Sequence, residues 1–253
     1  MIPTPIRQVL FTIQKHQVQA LLMGGQACVF YGAAQFSKDV DFLVLADESN
    51  FVGLHAALAE LGAMPIAVPR FAAAVLDRGH AVHYRCKADG VEGLRIDLMT
   101  KLRDLPGFDV LWNRRTTLTD ENSREIHLLS VPDLIHAKKT QREKDWPVIA
   151  ALVEGHYQSL QNEPTPARIA FWLKESLTPE RLVALTARFP AEAARIVRPL
   201  LAHATTGDLP ALREALDAEV RAEKEKDRAY WEPLKREMED FRHAGRTAPM
   251  PDA

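Results

Sequence analysis

The sequence predicts an α+β protein: a small mixed β-sheet with flanking helices, followed by an all-α C-terminal region. Three observations carry this expectation. Short apolar runs at residues 19–23, 42–45 and 94–99 have strand length and lie between turn signals. Amphipathic helical spacing separates them. From Trp146 onward only helical patterns occur, punctuated by start signals such as Thr178-Pro179-Glu180 and Asp208-Leu209-Pro210.

In chain order, residues 6–15 read as an opening helix, and residues 19–23 as a buried strand ending at Gly24-Gly25, where a second helix opens. Asp39-Val40-Asp41 begins a strand that continues through residues 42–45. Residues 50–61 form an amphipathic helix capped by Ser49 or Asn50. Residues 81–86 and 94–99 are two strands joined around Asp89-Gly90, a hairpin-type turn. Residues 125–129 add a short strand. Ser130 or Val131 then starts a helix with Pro132 in its first turn. Further helices are expected over 146–161, 167–177, 179–189, 191–204 and 210–241, and residues 245–253 read as a frayed tail. The expected division is a core over 1–145, a helical region over 146–244, and that tail.

The chemistry concentrates in the core. Asp39 and Asp41, at period two, share one face of a strand. They follow the glycine pair after a spacer of thirteen residues, and Asp97 stands in a second strand-like run, Arg95-Ile96-Asp97-Leu98. Carboxylates embedded in apolar strands call for a cation or basic partners, because burying them unpaired is costly. A carboxylate cluster suits a hard divalent cation, and Mg²⁺ held this way keeps substrate phosphates among its ligands. The glycine turn lets a phosphate approach the backbone, and the amides of the helix opening there can meet an anion. The outline is that of a phosphoryl- or nucleotidyl-transfer site.

These residues resemble the nucleotidyltransferase superfamily whose fold is shared with DNA polymerase beta, and within it the AbiEii-like toxin and MNT-like branch. Gly24, Gly25, Asp39, Asp41 and Asp97 match its pattern of a glycine pair, a spacer, Asp-x-Asp and a later acidic residue on a strand. Residues 131–139 with Arg142-Glu143-Lys144-Asp145 are similar to the Lys…Arg-x-Lys-Asp helix that follows the catalytic sheet in AbiEii-like proteins. The likeness covers residues 5–157 and departs at Gln35 and Ser37, where many relatives carry arginine and threonine.

The resemblance implies catalytic roles for Asp39, Asp41 and Asp97, holding Mg²⁺ in a two-metal site. It implies that Gly24, Gly25, Gln26 and Ser37 bind the phosphates of an NTP co-substrate, with Lys138 and Arg142 neutralising the triphosphate. The acceptor hydroxyl it implies lies on tRNA, another RNA or a protein, and a cognate antitoxin is an implied partner. Two alternatives stay open: an aminoglycoside-type small-molecule acceptor, and a non-catalytic nucleotide- or partner-binding protein of the same fold.

Other candidates have plainer readings. Lys138 and Arg142, spaced i,i+4, would share a helix face and point at phosphates or form a solvated helix end. His80 and His83, three apart on an expected strand, would face opposite sides, which is poor metal geometry and favours packing roles. Cys28 and Cys86 have no zinc spacing, and Cys28 reads as an inert core thiol. Hydrophobic content of 47% and charged content of 26% are those of a soluble globular protein. A net charge of −2 excludes a strongly basic nucleic-acid module but not local basic clusters, such as Arg114-Arg115 and residues 138–144. Two cysteines, no secretory-type pattern after Met1 and no apolar run of spanning length point to a cytoplasmic protein with no membrane partner.

Overall fold

α1 (Thr4–Lys15) buries Ile6, Val9, Leu10 and Ile13, the spacing of one helix face. β1 (Ala20–Met23) follows and is buried at all four positions, as suits a strand covered on both faces. This computed structural model describes residues 4–120 and 123–247. α2 (Gly24–Phe30) starts directly at the end of β1, and β2 (Asp39–Val44) returns antiparallel to β1. α3 (Glu48–Glu60) is capped by Asp47, two residues before Ser49 and three before Asn50, the caps its sequence suggested: the Asp47 carboxylate accepts from the amides of Ser49 and Asn50. Asn50 is instead turned inward, where it bonds the backbone of Gln19 and Leu45.

β3 (Met64–Pro65), α4 (Ala73–Asp77), β4 (Val82–Arg85) and β5 (Arg95–Met99) come next, then α5 (Phe108–Asn113), β6 (Thr116–Thr119), β7 (Glu125–Leu128) and α6 (Val131–Lys138). The strands form one seven-stranded sheet in the order β3-β4-β5-β2-β1-β7-β6. It is mixed: β2 pairs parallel with β5 and β1 with β7, while the remaining pairs are antiparallel. The α+β expectation thus holds as a mixed sheet with helices, followed by a helical stretch.

That stretch comprises α7 (Asp145–Leu160), α8 (Pro166–Glu175), α9 (Pro179–Arg188), α10 (Pro190–Ala193), α11 (Leu201–Thr206) and α12 (Leu209–Thr247). The single helix expected over 191–204 is two. Helical structure stops at Ala193 and resumes at Leu201, and Pro199, which lacks an amide and disfavours helical backbone at Arg198, lies in that gap. Arg198 turns this break into a tie: its Nη1 donates to the carbonyls of Leu173 and Ser176, and its other nitrogens bind Glu219.

The chain partitions into two compact units. One contains the chain up to Val29, Gln35–Ala137 and the part of α12 from Ala229 onward; the other contains Phe30–Ala34 and Lys138–Arg228. In the second, Trp172, Leu173, Leu182, Leu185 and Leu212 form a buried cluster, and the Trp172 indole bonds His156 at 2.9 Å. In the first, the closing segment of α12 packs on the turn before β4. Gly79 has φ +99°, and a Cβ there would lie 2.8 Å from the Tyr230 hydroxyl oxygen. Buried His80 meets Glu237 at 2.7 Å, and its ring lies 5.8 Å from that of Phe241. Of the expected tail, residues 248–253 lie outside the described residues. Among the described residues no helix is long and apolar enough to cross a membrane.

Candidate functional site

The site begins with strand register. β2 pairs with β5 so that Asp39 stands opposite Arg95 and Asp41 opposite Asp97. β4 extends both rows, with Arg85 opposite Arg95 and His83 opposite Asp97. Alternate residues of a strand share a face. One face of the sheet therefore carries the row Asp41–Asp97–His83 beside the row Asp39–Arg95–Arg85. Val40, Phe42, Val82, Tyr84, Ile96 and Leu98 take the other face and are all buried. The apolar residues that interleave the charged ones in sequence thus anchor them to the core.

The glycine pair closes on the first row. Gly24 has φ +65°, and a Cβ on it would fall 1.9 Å from Asp41 Oδ2. Only glycine lets that carboxylate pack against the start of α2. A Cβ on Gly25 would lie 2.6 Å from Ser37 Oγ, and that hydroxyl donates to the Asp39 carbonyl at 3.0 Å. Gly24, Gly25, Ser37, Asp39, Asp41 and Asp97 are thereby gathered in one unit. Gln26 is buried in α2.

Asp97 has close partners. Its Oδ1 accepts from Arg95 Nε at 2.7 Å and lies 2.8 Å from His83 Nδ1, while Arg95 Nη2 lies 3.0 Å from the same histidine nitrogen. Burial alone would raise the Asp97 carboxyl, but the bonds from His83 and Arg95 outweigh it and hold it below the usual carboxylate range. The bond to Asp97 in turn raises the Arg95 guanidinium, and the charges of Asp39 and Asp41 add to this.

His83 was assigned only a packing role by its sequence, and the structure places it on the site face. The signal was present. Residues equidistant from Gly90 pair in this hairpin, and His83 and Asp97 each lie seven positions from it. The two histidines do not meet: His83 serves Asp97, and His80 serves Glu237. Cys86 is buried, which pushes its thiol up to about 11.

Lys138 and Arg142 belong to the helical unit and do not share a helix face. α6 ends at Lys138, α7 starts at Asp145, and Arg142 lies in the connection. Both are drawn to Asp145: Lys138 Nζ at 3.1 Å from Oδ1 and Arg142 Nε at 2.7 Å from Oδ2, which also accepts from the Thr140 hydroxyl at 2.6 Å. The buried carboxylate, read from sequence as structural, receives Lys138, Thr140 and Arg142 together.

Among the described residues no three His, Cys, Asp or Glu side chains are gathered as metal ligands. The donor chemistry of the face fits Mg²⁺ all the same: three hard carboxylates share it, and the backbone at Gly24 leaves no room for a Cβ beside Asp41. Comparison with known proteins finds no family model and no curated protein that matches the chain.

Proposed function

We propose that the chain is a metal-dependent nucleotidyltransferase that moves a nucleoside monophosphate from an NTP to an acceptor hydroxyl. The observation that carries this is the placement of Asp39, Asp41 and Asp97 on one face of β2 and β5, with Gly24 fitted against Asp41. Bound Mg²⁺ supplies charge neutralisation and Lewis acidity at the phosphates, and Asp39, Asp41 and Asp97 are the residues to hold it. The acceptor oxygen bonds to the α-phosphorus, the bond from that phosphorus to the bridging oxygen breaks, and pyrophosphate leaves. Asp97 is the residue we assign to help deprotonate the acceptor hydroxyl, a role that requires Arg95 and His83, which hold its carboxyl low, to release Oδ1. The amides of Gly25 and Gln26, with Ser37 alongside, hold the terminal phosphates. Positioning and electrostatics account for most of the acceleration in such chemistry.

The acceptor we favour is tRNA or another RNA, in the manner of a toxin held in check by an antitoxin, with a protein hydroxyl next. A second reading draws support from the engagement of Asp97 Oδ1 by Arg95 and His83: a protein that binds NTP without turning it over.

One experiment separates the readings. Each α-labelled NTP is incubated with Mg²⁺ and the protein, on total tRNA and on protein extract, beside Asp41→Ala. Label that appears in one acceptor pool and vanishes with the variant supports the transferase. Nucleotide binding with no transfer and no pyrophosphate release leaves the binding protein in its place.

A further inference from the structure

The face that carries Asp39, Asp41 and Asp97 also carries Arg95 among them. Arg95 stands directly across from Asp39 in the β2–β5 register and shares its face with Asp97, two residues on. Its Nε donates to Asp97 Oδ1 at 2.7 Å, and Nη2 reaches to within 3.0 Å of the His83 nitrogen that crowds the same oxygen. Two neighbours thus meet one carboxylate oxygen.

The contrast with Arg198 shows what kind of arginine this is. The Arg198 side chain is 7% exposed and fixed by two backbone carbonyls as well as Glu219. Arg95 is 36% exposed, and its hydrogen bonds go to the side chains of Asp97 and His83. A half-exposed arginine on a flexible stem can leave its partner without unfolding anything. Like-charged carboxylates sharing one face repel, and a guanidinium among them relieves that repulsion as a metal ion would. Mg²⁺ binds carboxylate oxygens directly, and with Arg95 and His83 both on Asp97 Oδ1 its two acceptor directions are taken, so a metal at that oxygen must displace one of them.

We propose that Arg95 is the resident counter-cation of the Asp39–Asp41–Asp97 face and competes with a divalent metal for Asp97. The inference rests on the nucleotidyltransferase reading, since it takes those aspartates as metal ligands.

The test is a titration of the full-length protein with Mn²⁺, followed by the loss of the free-ion electron paramagnetic resonance signal. Wild type is compared with Arg95→Gln, Arg95→Lys, Asp97→Asn, Asp41→Asn and the Arg95→Gln/Asp97→Asn pair. Removing one adjacent positive charge should tighten Mn²⁺ binding about tenfold in Arg95→Gln. Arg95→Lys keeps the charge and should stay near wild type. The gain should disappear in the double variant, since Asp97 is the contested ligand. Equal affinity in Arg95→Gln and wild type, with binding lost in Asp41→Asn, would leave the metal site standing and overturn the role of Arg95. Mn²⁺ binding that is absent throughout, or indifferent to Asp41→Asn, would remove the metal site and the role of Arg95 together.

Discussion

Gly24 and Asp41 are fitted to each other: a Cβ on the glycine would lie 1.9 Å from Oδ2 of the aspartate. The first residue of α2 and the second aspartate of β2 therefore share a space that no side chain can enter. Gly24→Ala must displace the carboxylate and also strains a backbone at φ +65°, at a cost of about 1 kcal/mol for the conformation alone. The expected outcome is a folded protein, with a small drop in melting temperature and at least tenfold weaker Mg²⁺-NTP binding. Wild-type affinity in a calorimetric titration would detach this contact from ligand binding.

Gly25 makes the neighbouring fit with a softer partner. A Cβ there presses on Ser37 Oγ at 2.6 Å and Ser37 Cβ at 3.1 Å. Gly25→Ala should weaken nucleotide binding, and adding Ser37→Gly should restore part of it by clearing both atoms. The same second change should do nothing for Gly24→Ala. Rescue of both variants, or of neither, would show that the two glycines do not act through separate partners.

Lys138 carries a choice between two roles. Its amine is buried against Asp145, and removing one partner of a buried ion pair costs about 3 kcal/mol. Lys138→Met should therefore lower the urea midpoint clearly, with Arg142 and Thr140 limiting the loss. Unchanged stability with lost NTP binding would instead assign the amine to the nucleotide.

Asp145 also predicts an acid dependence. Burial alone would raise its carboxyl, but the Thr140 hydroxyl and the charges of Lys138 and Arg142 outweigh burial and hold it below the ordinary value. A depressed carboxyl stabilises fully above its unfolded pKa of about 3.9 and loses that contribution as pH falls through the folded value. Urea midpoints measured from pH 6 downward should fall below about pH 4, and Asp145→Asn should flatten that fall. An identical acid profile for the two proteins would exclude Asp145 as its source.

Arg198 offers a test of the helical unit alone. Lysine cannot reproduce a fork that serves Leu173, Ser176 and Glu219 together. Arg198→Lys should cost about 2 kcal/mol, since two carbonyls lose their donor. Thermal melts that superimpose on wild type would show the carbonyls are satisfied otherwise.

The sequence disclosed most where apolar runs were punctuated by glycine, proline or acidic residues. β1, β2, β5 and the turn at Gly24-Gly25 fall where expected, because burial and backbone conformation there are dictated locally. The two-residue strand Met64–Pro65 and the Thr-rich Thr116–Thr119 escaped notice, since neither carries an apolar run; each is a strand only because its partner is. The same holds at the site. Asp39 and Asp41 announce themselves by period two, whereas Arg95 and His83 acquire meaning only from pairing across strands. Lys138 and Arg142 looked like helix neighbours, but α6 ends at Lys138, and the two meet instead at Asp145.

The residues that cover Gly79 and His80 come from beyond Ala229 in α12. A ribosome thus delivers every strand of the sheet, and then all of α7 to α11, before it delivers Tyr230 and Glu237. Until that late segment emerges, the nascent sheet keeps a histidine and a glycine turn uncapped. Synthesis runs from one end to the other, but closure does not: the unit begun first is the one sealed last. A fragment cut after α6, however well its strands pair, leaves that seam open.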